Sequence, residues 1–584
     1  MKATINHLIV DYHYQAIDKD FDIYQISTSK DYIDRGSYFL DKPNLSLKAK
    51  ALTFDRGRSA FVLFEKGTIN TRRELIDALE NETLSCEKKN PSDLKDYILF
   101  RLFLCALSNS RNGYNNLTGK LFFYRPEWIA KNKKTIKALQ IDVDQEMNLS
   151  SSATTFTRTS SFKDRKNIIG LPLYTFSFDN YSFKRVLSTD SESLVYVRKS
   201  YNGTKTEMPF LQLVDDKIEN TRVGCLFDTI NLLRENFKNY LGVEFEKEEL
   251  LDRICGGPDS RFLNHIGDFF IGHTLNFVNY DIDIEDEIYF DKLVDGISKT
   301  VPLSNIALIN IINPNAINFV FLHDEDYYTE NKYSDPYKKL DKKHCVIQCV
   351  TKEESGKMLL SGSDALINTI LKEALIKEDI IKRGHSSLDI WKERNYKDDW
   401  FFGLENEGKH FFAIIHPNGQ IEFEEKQPTL SGFKNPGIYK LSSILGGSNG
   451  KGKMIIADSS GNVMLISRTN RFMLPNEDIM NVDKLSRSKE FKDTYLVGVV
   501  DACMYHFDNC SFYSVGNIGY GMQSGIPKAN RLYRAEVIEG YDVLNDFISL
   551  MAVTFVRYNE FTVVPYPFKY LREYIEMNTN ESKK

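Results

Sequence analysis

The chain is predicted to be an α/β protein of several domains, and three observations predict it. Its 584 residues exceed what one hydrophobic core organises. Hydrophobic residues make up 42% of it, ample for ordinary cores and unlike the composition of a disordered chain. Short β-rich runs such as Phe61-Val62-Leu63-Phe64 alternate with helix-period stretches such as Asp96 to Leu107, and no internal repeat is present.

Taken in order, residues 1–125 read as a mixed N-terminal domain, with an exposed loop near Ser108 to Gly113. Residues 126–200 are β-rich and polar. There Lys131, Lys133, Lys134 and Lys137 lie beside Trp128, either to track a nucleic-acid backbone or as a wet helix face. Residues 201–300 carry a helical stretch from Cys225 to Tyr240. Residues 301–384 hold the most informative segment. Tyr337-Lys338-Lys339-Leu340-Asp341-Lys342-Lys343-His344 puts four lysines into eight residues, and Cys345 to Val350 follows as a buried strand interrupted by Gln348. From Asp364 to Lys382, Leu366, Ile367, Ile370, Leu371, Ala374 and Leu375 recur at helical spacing, with Ser363 or Asp364 as N-cap and Gly384 as the residue that ends the helix. Residues 385–584 read as a second α/β domain.

Charge, cysteines and hydropathy narrow the function. A formal net charge of −6 excludes a diffuse polybasic binder and confines any nucleic-acid site to a local basic channel on an acidic body. The acidic run Asp281 to Glu287 reads as a solvated strand edge or loop. Eight scattered cysteines show neither a Cys-x-x-Cys pair nor zinc spacing, which fits free thiols in a reducing cytoplasm. The opening Met-Lys-Ala-Thr-Ile-Asn-His lacks a signal-peptide apolar core, and no apolar run approaches the ~18 residues of a membrane span. The expectation is a soluble cytoplasmic protein with no membrane partner.

Tyr333 or Tyr337, Lys338, Gln348 and Lys372 are the candidates to converge on one anion. Ammonium groups neutralise phosphate, while amide and phenol donate directional hydrogen bonds. The same residues also read as a solvated lysine run before an ordinary strand and helix, and spacing alone favours that plainer reading.

The order Tyr, Lys, Gln, Lys resembles the pocket in the MID domain of Argonaute proteins that anchors the guide's 5′ end. The family spaces its Tyr (or Arg) and Lys four residues apart. That spacing here gives Tyr333 to Tyr337 or Ser334 to Lys338, so one family ligand is replaced or shifted. Ala138 to Asp144 followed by Leu149 to Phe162 resembles the L1 linker of long prokaryotic Argonautes. About a hundred residues separate it from the MID-like segment, which implies an L2-like region with the PAZ domain absent or reduced. The last two hundred residues resemble the RNase H-like PIWI domain. Phe402-Gly403-Leu404-Glu405 takes the place of its first strand, and His410 to His416 with the turn Pro417-Asn418-Gly419 the second. Met454 to Gly461 stands for the Arg-Asp-Gly strand, Tyr495 to Val500 for the next, Gly525 to Arg534 for the Gly-x-Pro element, and Val564 to Arg572 for the closing motif.

Departures from the family decide the chemistry that the resemblance implies. Two-metal hydrolysis needs carboxylates converging on two Mg²⁺ ions roughly 4 Å apart. Glu405 and Asp458 keep acidity at two of four places, no Asp or Glu lies between Gln427 and Ala457, and Arg572 falls on the last ligand position. Asp458 also reads as a turn residue and Arg572 as a surface helix residue. The resemblance therefore implies a catalytically inactive, long-type prokaryotic Argonaute, similar to the plasmid-defence Argonautes of the DdmDE type. Such a protein is not itself an enzyme. It binds a short 5′-phosphorylated DNA guide, with Mg²⁺ at that phosphate, pairs it with complementary target DNA, and recruits a helicase-nuclease effector against plasmids or phage. The resemblance places Arg468, Arg471, Arg531 and Arg534 along the guide-target channel. Two readings stay open beside it. One is an active Mg²⁺-dependent guide-directed endonuclease using Glu405, Asp458 and further acids, the other an interaction scaffold with a decayed pocket. Gly446 to Lys453 is glycine-rich and basic but lacks the Lys-Ser/Thr of a phosphate loop, and His506 and Cys510 read as core residues without partner ligands.

Overall fold

The computed structural model describes residues 2–28, 41, 47–55, 59–79, 84–109, 112–162, 165–186, 194–200, 208–213, 217–250, 266–280, 287–387, 391–426, 436–447, 453–496, 503–507, 510–514, 531–540, 546, 550 and 564–579. They divide into two units. The first comprises Met1–Leu250, Asn470–Val500 and Ile518–Arg531, and the second Leu251–Thr469, Asp501–Asn517 and Leu532–Lys584.

Strands dominate the first unit. Four of them, in the order Ala51–Asp55, Ser59–Glu65, Phe21–Thr28, Leu84–Lys89, make an antiparallel sheet. The apolar run at Phe61 to Phe64 is buried throughout, as a central strand requires. A seven-stranded antiparallel sheet contains the stretch that resembles L1, now seen as the long hairpin Thr135–Val143 with Leu149–Arg158. Its core is aromatic, with Phe122, Tyr124, Phe156, Phe176, Phe183 and Tyr196 in mutual ring contact. The helix Arg222–Asn236 begins at Thr221, whose hydroxyl accepts from Gly224 N.

The third sheet explains why Asn470–Val500 joins this unit. The strand Lys2–Tyr12 pairs on one side with Leu241–Glu249 and on the other with Met473–Leu474, and Asn6 accepts from Phe472 N at 2.7 Å. Residues some 466 positions apart are thus joined by backbone pairing, for which the sequence carries no local signal.

In the second unit, four parallel strands run in the order Asn305–Ala307, Thr274–Asn279, Ile317–Leu322, Val346–Thr351. All six residues of Ile317–Leu322 are buried, the signature of a parallel strand covered on both faces. The helix Glu287–Thr300 is the first crossover, and the helix Asp364–Glu378 follows the last strand. That helix extends through a π-helical turn, Asp379–Arg383, and ends at Gly384, which has φ +65°. The predicted strand, helix and terminator at 345–384 are all present.

The other sheet of this unit has eight strands in the order Ile421–Lys426, Lys409–Ile415, Trp400–Asn406, Lys453–Asp458, Val463–Arg468, Tyr533–Glu539, Cys510–Ser514, Cys503–Phe507, with every neighbouring pair antiparallel. Alternate residues face two cores. Phe401, Phe412 and Ile455 pack with the helix Pro436–Gly447, and Phe402, Phe411 and Ala413 with the C-terminal helix Pro567–Thr579. Tyr495 to Val500, expected as a strand, instead begins at the end of a helix, Lys489–Tyr495, capped by Ser488; residues 497–500 and Gly525 to Lys528 lie outside the described residues. The fold class is mixed α/β, and no described helix is long and apolar enough to cross a membrane.

Candidate anion-binding pocket

A cavity of about 210 Å³ lies in the second unit, beside the outer edge of the Gln348 strand and between the helix Asp364–Glu378 and the C-terminal helix. Each element delivers its side chains by simple spacing. Asp335 accepts from Tyr337 N and, with Pro336, starts the short turn Pro336–Lys339 that presents Tyr337. Glu373 and Lys377 stand one helical turn apart on one face. Lys569, Glu573 and Glu576 stand at i, i+4 and i+7 on the C-terminal helix.

Gln348 is 5% exposed and fully engaged, its Oε1 accepting from Lys377 Nζ at 2.7 Å and its Nε2 donating to Glu373 Oε2 at 2.9 Å. Lys569 lies 3.2 Å from Glu373 and 2.9 Å from Glu573, while Lys377 is 3.8 Å from Glu573. Burial opposes the Lys569 charge, but Glu573 and Glu373 more than offset it and raise its pKa. The Tyr337 hydroxyl donates to Glu576 at 3.0 Å. Lys342 is the exception. Its ammonium sits over the Tyr337 ring and has no hydrogen-bond partner among the described residues, and burial pushes its pKa down to about 8. A half-buried ammonium without a hydrogen-bond acceptor bears a desolvation cost that a bound anion would offset.

The cavity brings together Tyr337 and Gln348 from the sequence-predicted set, but not the others. Lys372 precedes Lys377 by five residues, about 140° away around a helix. It is 2% exposed, does not line the cavity, and burial pushes its pKa to about 8. Lys338 is exposed and paired with Glu325 at 2.8 Å; it borders an adjoining cavity of about 710 Å³ that shares Tyr337 and Lys342. Tyr333 is half exposed and borders neither cavity. Sequence reasoning did not single out Lys342, Lys377 or Lys569, which line the cavity. Lys342 and Lys377 were in the right segments, whereas Lys569 arrives through tertiary packing.

The remaining candidates scatter. Arg471 is buried and 3.2 Å from Glu246, which also pairs with His7, so it ties Asn470–Val500 to the strand Leu241–Glu249. Arg468 and Arg534 belong to the second unit and Arg531 to the first. Arg468 stands opposite Tyr533 and Arg534 opposite Ser467, which puts the two arginines on opposite faces of the sheet. Arg468 and Arg531 are exposed, and Arg534 pairs with Glu536. Glu405 and Asp458 are not brought together. Asp458 lies opposite Trp400, five residues before Glu405, which separates them by roughly 17 Å along the strand. The Asp458 carboxylate accepts from Asn462 N and Nδ2 within the hairpin turn, the turn role its sequence context allowed. Arg572 is an exposed helix residue.

No protein-family model matches the chain, and no curated protein matches it. The functional reading rests on the geometry of the pocket.

Proposed function

We propose that the pocket anchors the 5′-phosphorylated end of a short DNA guide, and that the chain acts as a catalytically inactive Argonaute of the long prokaryotic type. It pairs the guide with complementary target DNA and recruits a helicase-nuclease effector against plasmids or phage. The observation that carries this reading is the Lys342 ammonium, without a hydrogen-bond partner among the described residues, in a cavity that also presents Lys377, Lys569, Gln348 and Tyr337. A terminal phosphate placed there accepts from Lys342 first, then from Lys377 and Lys569 as these exchange a carboxylate for a phosphate oxygen. The four-stranded parallel sheet with its crossover helices supports the MID-like assignment, whereas the all-antiparallel pairing of the eight-stranded sheet lends the PIWI-like assignment no support.

Mg²⁺ would enter this arrangement as a companion of the phosphate. Among the described residues no group of three or more Asp, Glu, His or Cys side chains is arranged to hold a metal, and Glu373 and Glu573 are engaged by lysines. Mg²⁺ commonly binds through phosphate oxygens and one or two carboxylates, so an ion here would be held chiefly by the phosphate itself. The separation of Glu405 from Asp458 supports a protein without its own nuclease centre. Extraction and sequencing of the nucleic acid that copurifies with the full chain tests the proposal. Short DNA of narrow length range, labelled by kinase only after phosphatase treatment, is expected. Absence of such strands, or RNA of random length, would overturn it.

A further inference from the structure

The pocket is charge-balanced before any ligand arrives. Lys342, Lys377 and Lys569 face Glu373, Glu573 and Glu576, three positive charges against three negative. Two of the acids belong to the C-terminal helix and occupy donors that a phosphate needs. Glu576 takes the Tyr337 hydroxyl at 3.0 Å, and Glu573 takes Lys569 at 2.9 Å and approaches Lys377 at 3.8 Å. A phosphomonoester brings about −1.5 to −2 at neutral pH, so its entry makes a half-buried site strongly anionic unless a carboxylate withdraws or a cation follows. Glu576 is exposed on the outer turn, and its contact with Tyr337 is a bond between residues 239 positions apart.

We propose that Glu576, backed by Glu573, is an internal stand-in for the guide phosphate: a carboxylate latch on the C-terminal helix that closes the pocket when empty and must be displaced for a phosphorylated end to bind. The inference rests on the anchoring function proposed above. The latch sets specificity. It holds Lys377, Lys569 and Tyr337 in place without a ligand, and it penalises weakly binding anions such as inorganic phosphate, which cannot recover the cost of displacing it through a bound strand. Moving Glu576 outward needs only side-chain rotation, since it is already at the surface.

Equilibrium titration of the full chain with 5′-phosphorylated and 5′-hydroxyl oligonucleotides of one sequence tests this, using wild type, Glu576→Gln, Glu573→Gln and Lys342→Gln. Glu576→Gln keeps the hydrogen-bonding shape and removes the charge, and it should tighten phosphorylated-end binding about tenfold or more while leaving the hydroxyl end within about twofold. Inorganic phosphate should then compete with the phosphorylated strand at lower concentration than in wild type. Glu573→Gln should act in the same direction, and its thermal unfolding curve separates a folding defect from a binding change. Unchanged or weaker phosphorylated-end binding in folded Glu576→Gln overturns the latch. If wild type favours the phosphorylated end and Lys342→Gln abolishes that preference, the anchoring function stands even where the latch fails. If Lys342→Gln leaves both ends unaffected, the anchoring function and the latch fall together.

Discussion

Replacing Tyr570 by Phe removes one hydroxyl from the buried junction between the two helices that flank the pocket, and the cost is calculable. Tyr570 is fully buried and donates to Asp379 Oδ2 at 2.7 Å. Ser387 supplies two more donors to that carboxyl, each at 2.7 Å, and Arg383 stands 3.7 Å away. Burial nevertheless dominates and raises the Asp379 pKa from 3.8 to about 6. The folded protein therefore holds this proton more tightly than the unfolded chain. The associated stability is fully present below about pH 4 and is lost as pH rises through about 6, amounting to about 3 kcal/mol at 1.36 kcal/mol per pH unit. Tyr570→Phe leaves the ionised carboxylate one donor short, costing about 1.5–3 kcal/mol near pH 8. Near pH 5, where Asp379 is protonated, only a neutral hydrogen bond is lost and the cost falls to about 0.5–1.5 kcal/mol. Urea unfolding followed by tryptophan fluorescence reads this unit through the buried Trp391 and Trp400. A penalty below about 0.5 kcal/mol at pH 8, or one equal at the two pH values, would refute the reasoning.

Two further outcomes follow from the same structure. Arg471→Ala should destabilise the protein by about 1.5–3 kcal/mol, because it removes a charge-assisted hydrogen bond and leaves the buried Glu246 with His7 alone, while leaving the salt dependence of any nucleic-acid binding unchanged; a salt slope lower by about one with little loss of stability would favour a channel role for Arg471. Gly403→Ala places a Cβ 2.4 Å from Phe412 Cε1 and 2.8 Å from Ile455 Cγ2, so a loss of about 1–3 kcal/mol in thermal or urea unfolding is expected, and an unchanged midpoint would mean that the sheet relaxes freely.

What the sequence disclosed follows the range of the forces involved. The strand at Val346–Thr351, the helix from Asp364 and the terminator Gly384 were legible because periodicity and capping are local. Within that segment Gln348 and Tyr337 reach the pocket, but the expected Lys372 does not and Lys377 does, because which helix face meets the C-terminal helix is a tertiary property. Lys569 and the latch carboxylates come from more than 190 positions further along the chain. Only the rival nuclease reading needs Asp458 beside Glu405, and the antiparallel pairing of Lys453–Asp458 with Trp400–Asn406, a tertiary property, sends the two acids to opposite ends. Arg471 looked like a backbone contact and proved to be half of a buried pair whose partner, Glu246, has no sequence signature.

The central claim is that the pocket recognises a phosphorylated strand end, and end-group discrimination tests it most directly. Binding of one oligonucleotide with a 5′-phosphate and with a 5′-hydroxyl is to be compared for wild type, Lys342→Gln and Lys377→Gln. Each lost charge-assisted hydrogen bond is worth about 1.5–3 kcal/mol, or about 10- to 150-fold in affinity. Wild type is predicted to prefer the phosphorylated end, and both variants to lose that preference while binding the hydroxyl end nearly as before. Equal affinity of the wild-type protein for the two ends would contradict the account.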